Sequence, residues 1–189
     1  MNEVCFATSN EHKFREAEFI LRDERELRLT RLSSKGVEVQ SDDVSEIAST
    51  AAAAAFRAHR RPLIVEDTGL SISTLGGFPG SYGAYVFRTI GLRGVLHLLQ
   101  GKEDRRAEFT SAVAFCDGPE APRVFTGALK GEIADSPRGE QGFGFDPIFV
   151  PMGFSRTLAE MSIEEKCKIS HRSLALRSFA SWASLRRTG

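Results

Sequence analysis

Apolar positions follow one rhythm at the start of the chain and another immediately after it. Residues 3–8, EVCFAT, form a short apolar run suited to a buried strand. In the following SNEHKFREAEFILRD, Phe14, Ala17, Ile20 and Leu21 recur at helical spacing, with Ser9 or Asn10 standing where an N-cap belongs. ELRLTRL alternates with period two and predicts a second strand, and VSEIASTAAAAAFRAHR predicts a helix to about His59 whose alanine run is a close-packed face. PLIVED reads as a strand ending in two acids, Glu66 and Asp67, ahead of a turn at Thr68-Gly69. LRGVLHLLQG predicts a short helix with Gly101 at its stop. RRAEFTSAVAFCDG and RVFTGALKGEIAD, separated by Gly118-Pro119, predict an antiparallel pair, and SHRSLALRSFASWASLRR closes the chain as an amphipathic helix. The order β-α-β-α-β, an antiparallel middle and a last helix predicts an α/β fold on a mixed β-sheet with flanking helices.

Composition narrows the classes. A chain of 189 residues fits one domain, or two lobes sharing a sheet, and 41% hydrophobic with 26% charged residues is ordinary for a soluble globular protein. The 25 Lys and Arg balance the 25 Asp and Glu, so no general attraction to a nucleic-acid polymer or an anionic membrane is expected. Cys5, Cys116 and Cys167 lack CxxC spacing and read as reduced packing residues of a cytoplasmic protein. The start, MNEVCFATSN, has no basic leader segment, and no apolar run is long enough to span a bilayer.

Five stretches carry candidate chemistry. TSNEHK, residues 8–13, sits at a strand-to-helix junction, where helix N–H groups, Thr8, Ser9, Asn10 and Lys13 suit phosphate. Taken alone, these residues read first as a plain N-cap with a solvated lysine, and no P-loop pattern is present. In VEDTGLSISTLGGFPGSYGAYVFR, residues 65–88, adjacent Glu66 and Asp67 point to opposite sides of a regular strand, so one faces a cleft. Gly76, Gly77, Pro79 and Gly80 then make a tight loop, either shaping a site or forming a surface turn. Glu38, in KGVEVQSDD, reads as a solvated charge unless Mg²⁺ is bound, in which case Glu38 and Asp67 suffice alongside water and phosphate. EKCKISHR concentrates Lys166, Lys168, His171 and Arg172 where the last helix begins, with Ser170 as cap. Cations there oppose the helix dipole and ask for an anion or acidic partner; His171 by itself reads as a surface histidine. In GFGFDPIF, residues 142–149, glycines and Pro147 exclude a regular strand while Phe143 and Phe145 offer aromatic faces beside Asp146. Together these supply phosphate donors, carboxylates, cations and a stacking shelf, which is what a Mg-nucleotide requires.

FATSNEHK, VEDTGL with GGFPGSYGAYV, GFGFDPIFVP and AEMSIEEKCKISHR, in that order, resemble the inosine triphosphate pyrophosphatase family, which acts on non-canonical purine (XTP, dITP, ITP) triphosphates. The resemblance covers nearly the whole chain. It implies one domain over residues 1–189, elongated, with two lobes around a central nucleotide cleft, working as a homodimer. It also implies Mg²⁺-dependent hydrolysis to the monophosphate and pyrophosphate, which cleanses the nucleotide pool. By motif position, Thr8, Ser9, Asn10, Glu11, His12 and Lys13 would contact the triphosphate, and Glu38 and Asp67 the metal. Asp67 would also accept a proton, with Thr68 as its neighbouring substrate contact. Phe143, Gly144, Phe145 and Asp146 would form the base-binding turn, Phe143 offering its face and Phe145 packing behind; Lys166, His171 and Arg172 would contact purine and phosphate. Thr68 stands where many relatives have serine, Phe145 where many have Tyr or Trp, and the alanine run about Ala51 where many have a lysine. Arg172 can only donate hydrogen bonds, which favours 6-oxo purines over adenine. Rival readings are a pyrophosphatase of broader base preference and a catalytically silent nucleotide sensor.

Overall fold

The computed structural model describes residues 3–22, 27–33 and 39–186. β1 (Glu3–Ala7) leads through α1 (Glu11–Leu21) to β2 (Arg28–Leu32), then through α2 (Val44–His59) to β3 (Leu63–Ile72). β4 (Pro79–Gly80), α3 (Gly83–Thr89) and α4 (Gly91–Leu98) follow, then two long strands, β5 (Arg106–Cys116) and β6 (Arg123–Ile133). β7 (Phe149–Pro151), α5 (Ile163–Ile169) and α6 (His171–Leu185) complete the order. The sheet runs β2-β1-β3-β5-β6-β7, with β4 paired to β3. β1 pairs in parallel with β2 and β3, and the remaining pairs are antiparallel. This is the mixed α/β fold that the element order predicts.

α1 and α6 cover one face of the sheet, where Val4, Phe6, Ile64, Val113 and Phe115 pack against Ala17, Leu176 and Phe179. α2 covers the other, its Ala48, Ala52 and Ala55 packed on Leu63, Ala112 and Ala114. The small side chains let α2 lie close to the strands, as expected for the alanine run. α1 joins β1 to β2 across one face and α2 joins β2 to β3 across the other, so the strand order reverses beside β1, and a crevice opens at the carboxyl end of such a strand.

On the α1/α6 face a second apolar cluster, with Leu70, Ile72, Phe109 and Phe149, lies further along the same strands. Between the two clusters the inward row turns polar or small. On β3 it carries Glu66 and Thr68, on β5 Ser111, and on β6 Gly127, with Thr68, Ser111 and Gly127 in register. The site occupies this gap in the core.

Four expectations need correction. β3 does not stop at Asp67 but continues to Ile72, because β5 pairs with it from Leu63↔Cys116 to Ile72↔Ala107. The expected tight loop is present, with Gly76, Gly77 and Gly80 at positive φ, but its Pro79–Gly80 end pairs with β3 as β4 and α3 follows it. α4 ends at Leu98, three residues before Gly101. Lys166 and Lys168 belong to a separate helix, α5, begun by a reciprocal cap between Ser162 and Glu165, rather than to the last helix.

Candidate active site

The loop after β1 is held from both sides. Asn10 caps α1, its Oδ1 accepting from the Lys13 amide at 3.2 Å, and Thr8 Oγ1 accepts from the Asn10 amide at 3.1 Å. From β2, the Arg31 guanidinium donates to the Ser9 carbonyl at 2.9 Å and the Thr8 carbonyl at 3.4 Å, and pairs with Glu11 at 3.0 Å. A trans peptide carries its C=O and the next N–H in opposite directions. Fixing these carbonyls on Arg31 therefore turns the Ser9 and Asn10 amides away from it. Arg31 was not anticipated from sequence, since nothing local marks one arginine in an alternating strand.

Lys13 is not the solvated lysine that its position allows. Its Nζ lies 2.8 Å from Glu66 Oε2 and donates to the Glu66 carbonyl at 3.2 Å. Glu66 also accepts from Ser111 at 2.7 Å and from the Thr68 hydroxyl, and Arg172 Nε stands 3.3 Å from Oε1. Burial is the largest influence on Glu66 and opposes its charge. Arg172, then Lys13, with hydrogen bonds from Lys13 and Thr68, outweigh it and hold the carboxyl well below the usual range.

Glu16, on the inner face of α1, is a second buried carboxylate the sequence did not reveal. It accepts from Lys166 at 2.6 Å and from Arg172 Nη1. Lys166 also donates to Asp146, and Arg172 Nη2 donates to Thr68 at 3.2 Å. Burial works against Glu16 ionisation, but Arg172 and Lys166 lower its pKa overall. These acids are the partners that cations at the start of α6 require. Desolvation depresses His171 well below the ordinary histidine value, with Arg172 adding to it. His171 is buried, not superficial as its isolated sequence context suggests, and stacks on Phe109 at 4.6 Å between centroids. Neither of its ring nitrogens has a partner.

The turn that begins at Gly142 depends on glycine there, since φ is +71° and a Cβ would strike the Asp146 carboxylate. Asp146 accepts from the Phe143 amide at 2.8 Å, closing the turn. The Phe143 ring is half-buried, with His12 stacked on it at 5.1 Å, Lys166 Nζ 5.0 Å and Arg172 Cζ 5.3 Å from its centroid. Phe145 is buried and meets Phe87 of α3 edge-on at 5.6 Å, so it packs the turn from behind.

A cavity of about 370 Å³ gathers these groups, within the usual range for a small-molecule site. Asn10, His12 and Lys13 line it from α1, and Asp67 and Thr68 from β3. Phe143, Gly144, Phe145 and Asp146 line it from the turn, and Lys166, His171 and Arg172 from α5 and α6. Gly83 and Phe87 of α3, which no sequence motif singled out, add an apolar wall. Thr8, Ser9 and Glu11 do not line it: Thr8 and Ser9 shape the loop, and Glu11 turns to Arg31. Glu38 lies outside the described residues. Asp67 presents a buried Oδ2 with no hydrogen-bond partner, and burial, with Glu66 adding to it, raises its pKa despite Lys13. The neighbouring acids are thus driven apart: Glu66 is ionised and internally paired, while Asp67 keeps an oxygen unpaired.

Fold and site together define a mixed α/β protein with a cation-lined cleft at the switch point of its sheet. The Ham1 family model matches residues 4–182. A dITP/XTP pyrophosphatase of Methanopyrus kandleri is 50% identical over 180 residues, covering 95% of each chain. One of Saccharolobus solfataricus is 48% identical, covering 94% of this chain and 92% of its own. A HAM1 protein structure from Coxiella burnetii superposes with a TM-score of 0.86 at 31% identity, over 97% of this chain and 99% of that one. The chain belongs to the Ham1 family.

Proposed function

We propose that this protein hydrolyses non-canonical purine nucleoside triphosphates, ITP, dITP and XTP, to the monophosphate and pyrophosphate with Mg²⁺, and so cleanses the nucleotide pool. The observation that carries the reading is the single cavity in which Lys13 and Lys166, the unpaired Asp67 oxygen, the Phe143 ring and His171 with Arg172 all meet. Relatives named dITP/XTP pyrophosphatase support the substrate class.

Lys13 and the start of α1 hold the phosphates, with Lys166 close by. The Phe143 ring stacks the base. Arg172 spends donors on Glu16 and Thr68 and keeps others for a 6-oxo group. His171, held neutral, offers one donor and one acceptor. Asp67 orients the attacking water and takes its proton.

The donor set fits Mg²⁺. A buried carboxylate oxygen without a partner suits a hard cation, and Mg²⁺ takes one or two carboxylates with phosphate and water rather than a protein cage. Asp67, with Glu38, would hold it. When bound, it supplies charge neutralisation on the phosphate oxygens as pyrophosphate departs.

The reading includes one domain of two lobes, working in the cytoplasm as a homodimer. The cysteines are free, none of the described helices is long and apolar enough to cross a membrane, and Tyr82 and Tyr85 expose aromatic surface at spacing three. Product analysis with ITP and Mg²⁺ tests the activity. IMP with pyrophosphate is the expected outcome; IDP with orthophosphate would overturn it.

A further inference from the structure

Two cations that serve opposite ends of a nucleotide come from opposite ends of the chain. Lys13 stands on α1 and Arg172 on α6, and both line the cavity. One carboxylate lies between them. The Glu66 side chain is 0% exposed, with Oε2 2.8 Å from Lys13 Nζ and Oε1 3.3 Å from Arg172 Nε. A second route runs from Arg172 Nη2 through the Thr68 hydroxyl to Oε1, and Ser111 steadies that oxygen at 2.7 Å.

We infer that Glu66 is a positioning residue that couples recognition of the base by Arg172 to the grip on phosphate by Lys13. The inference rests on the nucleotide reading above. A triphosphate draws Lys13 toward itself and away from Oε2. Glu66 is then left with Arg172 as its principal cation, and its pull on that guanidinium grows. The base takes donors that Glu66 does not use, so a firmly held guanidinium is better prepared for it. Binding at one end therefore favours binding at the other, and linkage makes the effect reciprocal. The alternation of β3 makes this division possible. Glu66 is buried beneath α6 and does not line the cavity, while Asp67, one residue on, does.

The test uses two probes that each fill half the site, inosine and inorganic tripolyphosphate. In the wild-type protein, saturating tripolyphosphate should tighten inosine binding about fivefold or more. In Glu66→Gln, which keeps shape but removes charge, that ratio should fall to one. Ser111→Ala, a milder change that removes one hydrogen bond to Glu66, should reduce the ratio partway; it supplies the measurement if Glu66→Gln does not fold. Glu66→Asp should restore part of the ratio, which a purely structural loss does not predict. If both probes bind the wild type independently, the coupling is refuted while the nucleotide reading stands. If neither probe binds, the nucleotide reading falls and the coupling with it. An undiminished ratio in Glu66→Gln, or in Ser111→Ala where Glu66→Gln cannot be made, assigns the coupling elsewhere and overturns the role of Glu66.

Discussion

Gly127→Ala adds a methyl group outside the cavity lining, yet it should disable the enzyme. Gly127 lies on β6 beneath the first turns of α6, where a Cβ would overlap the His171 carbonyl and lie 2.7 Å from the Ala175 amide nitrogen and the Leu174 Cβ. Ordinary contacts begin at 3.4 Å, and two of these three neighbours are helix backbone that no rotamer can move. The start of α6 must therefore rise from the sheet until the overlapping His171 carbonyl, as well as the two 2.7 Å contacts, clears to at least 3.4 Å. Overpacking of this kind costs ~1–3 kcal/mol. For a domain of this size that lowers Tm by roughly 2–12 °C. The same movement carries His171 and Arg172 with it, and a misplacement of about 1 Å costs on the order of 100-fold in rate. Thermal unfolding and pyrophosphate release from ITP measure the two effects. Gly118→Ala, where a Cβ meets nothing within 4 Å, is the control and should be silent in both. Wild-type Tm and kcat/KM in Gly127→Ala would refute the close-approach reasoning.

Arg31→Ala should raise KM for ITP about tenfold with little change in Tm, since it loosens the loop between β1 and α1 from a partly exposed position; unchanged KM would remove Arg31 from the site's support. Asp67→Asn should lower kcat by roughly 100-fold or more while the circular dichroism spectrum is retained, and near-wild-type turnover would show Asp67 to be wrongly assigned. Phe145→Ala should cost ~3–5 kcal/mol of stability because the ring is buried, whereas Phe143→Ala should chiefly weaken nucleotide binding, by roughly tenfold; a reversed pattern in melts and titrations would exchange their roles. In acid, stability should decline from about pH 6.5 as unfolding frees His171 to protonate, and steepen below 4.5, where Glu16 and Glu66, both depressed in the fold, gain protons on unfolding. Asp67 and Asp146, raised by burial, act in the opposite sense and blunt the slope. Denaturant unfolding from pH 3 to 8 checks this, and stability that stays flat from 6.5 to 3 would refute it.

Much of the site was legible because its signals are local. The cap at Asn10, the opposite sides taken by Glu66 and Asp67, and the turn that Gly142 begins all follow from backbone chemistry within a few residues. What escaped depends on partners distant in sequence. Glu16 looks like one more solvated acid on α1, because its partners Lys166 and Arg172 lie 150 and 156 positions away. Thr68-Gly69 reads as a turn, yet both continue a strand, because β5 supplies the pairing. A Cβ at Gly69 would meet Gly80 and Val44 at 3.2 Å, so a small residue serves packing there rather than reversal. α3 starts without a side-chain cap and is seven residues long, which leaves little periodicity to detect. α5 is equally short, but its Ser162–Glu165 capping box was a usable signal.

The charges in the cleft explain why those distant residues are needed. Lys13, Lys166 and Arg172 bring three positive charges into a largely dry space, which Glu16, Glu66 and Asp146 match. Glu16 and Glu66 are each shared between two cations on different helices, while Asp146 pairs with Lys166. Glu16 ties α5 and α6 to α1, and Glu66 ties α1 and α6 to the sheet. Removing one member leaves a buried charge uncompensated, at about 3–5 kcal/mol. Such a network is therefore weak as a source of net stability and strong as a means of fixing geometry. Asp67 is the acid left over when these partners are matched. Its unpaired oxygen is retained against the cost of burial, and that cost is recovered only when a proton or a cation reaches it. The residues that balance one another hold the cleft in shape, and the one that does not is the residue to which we assign the reaction.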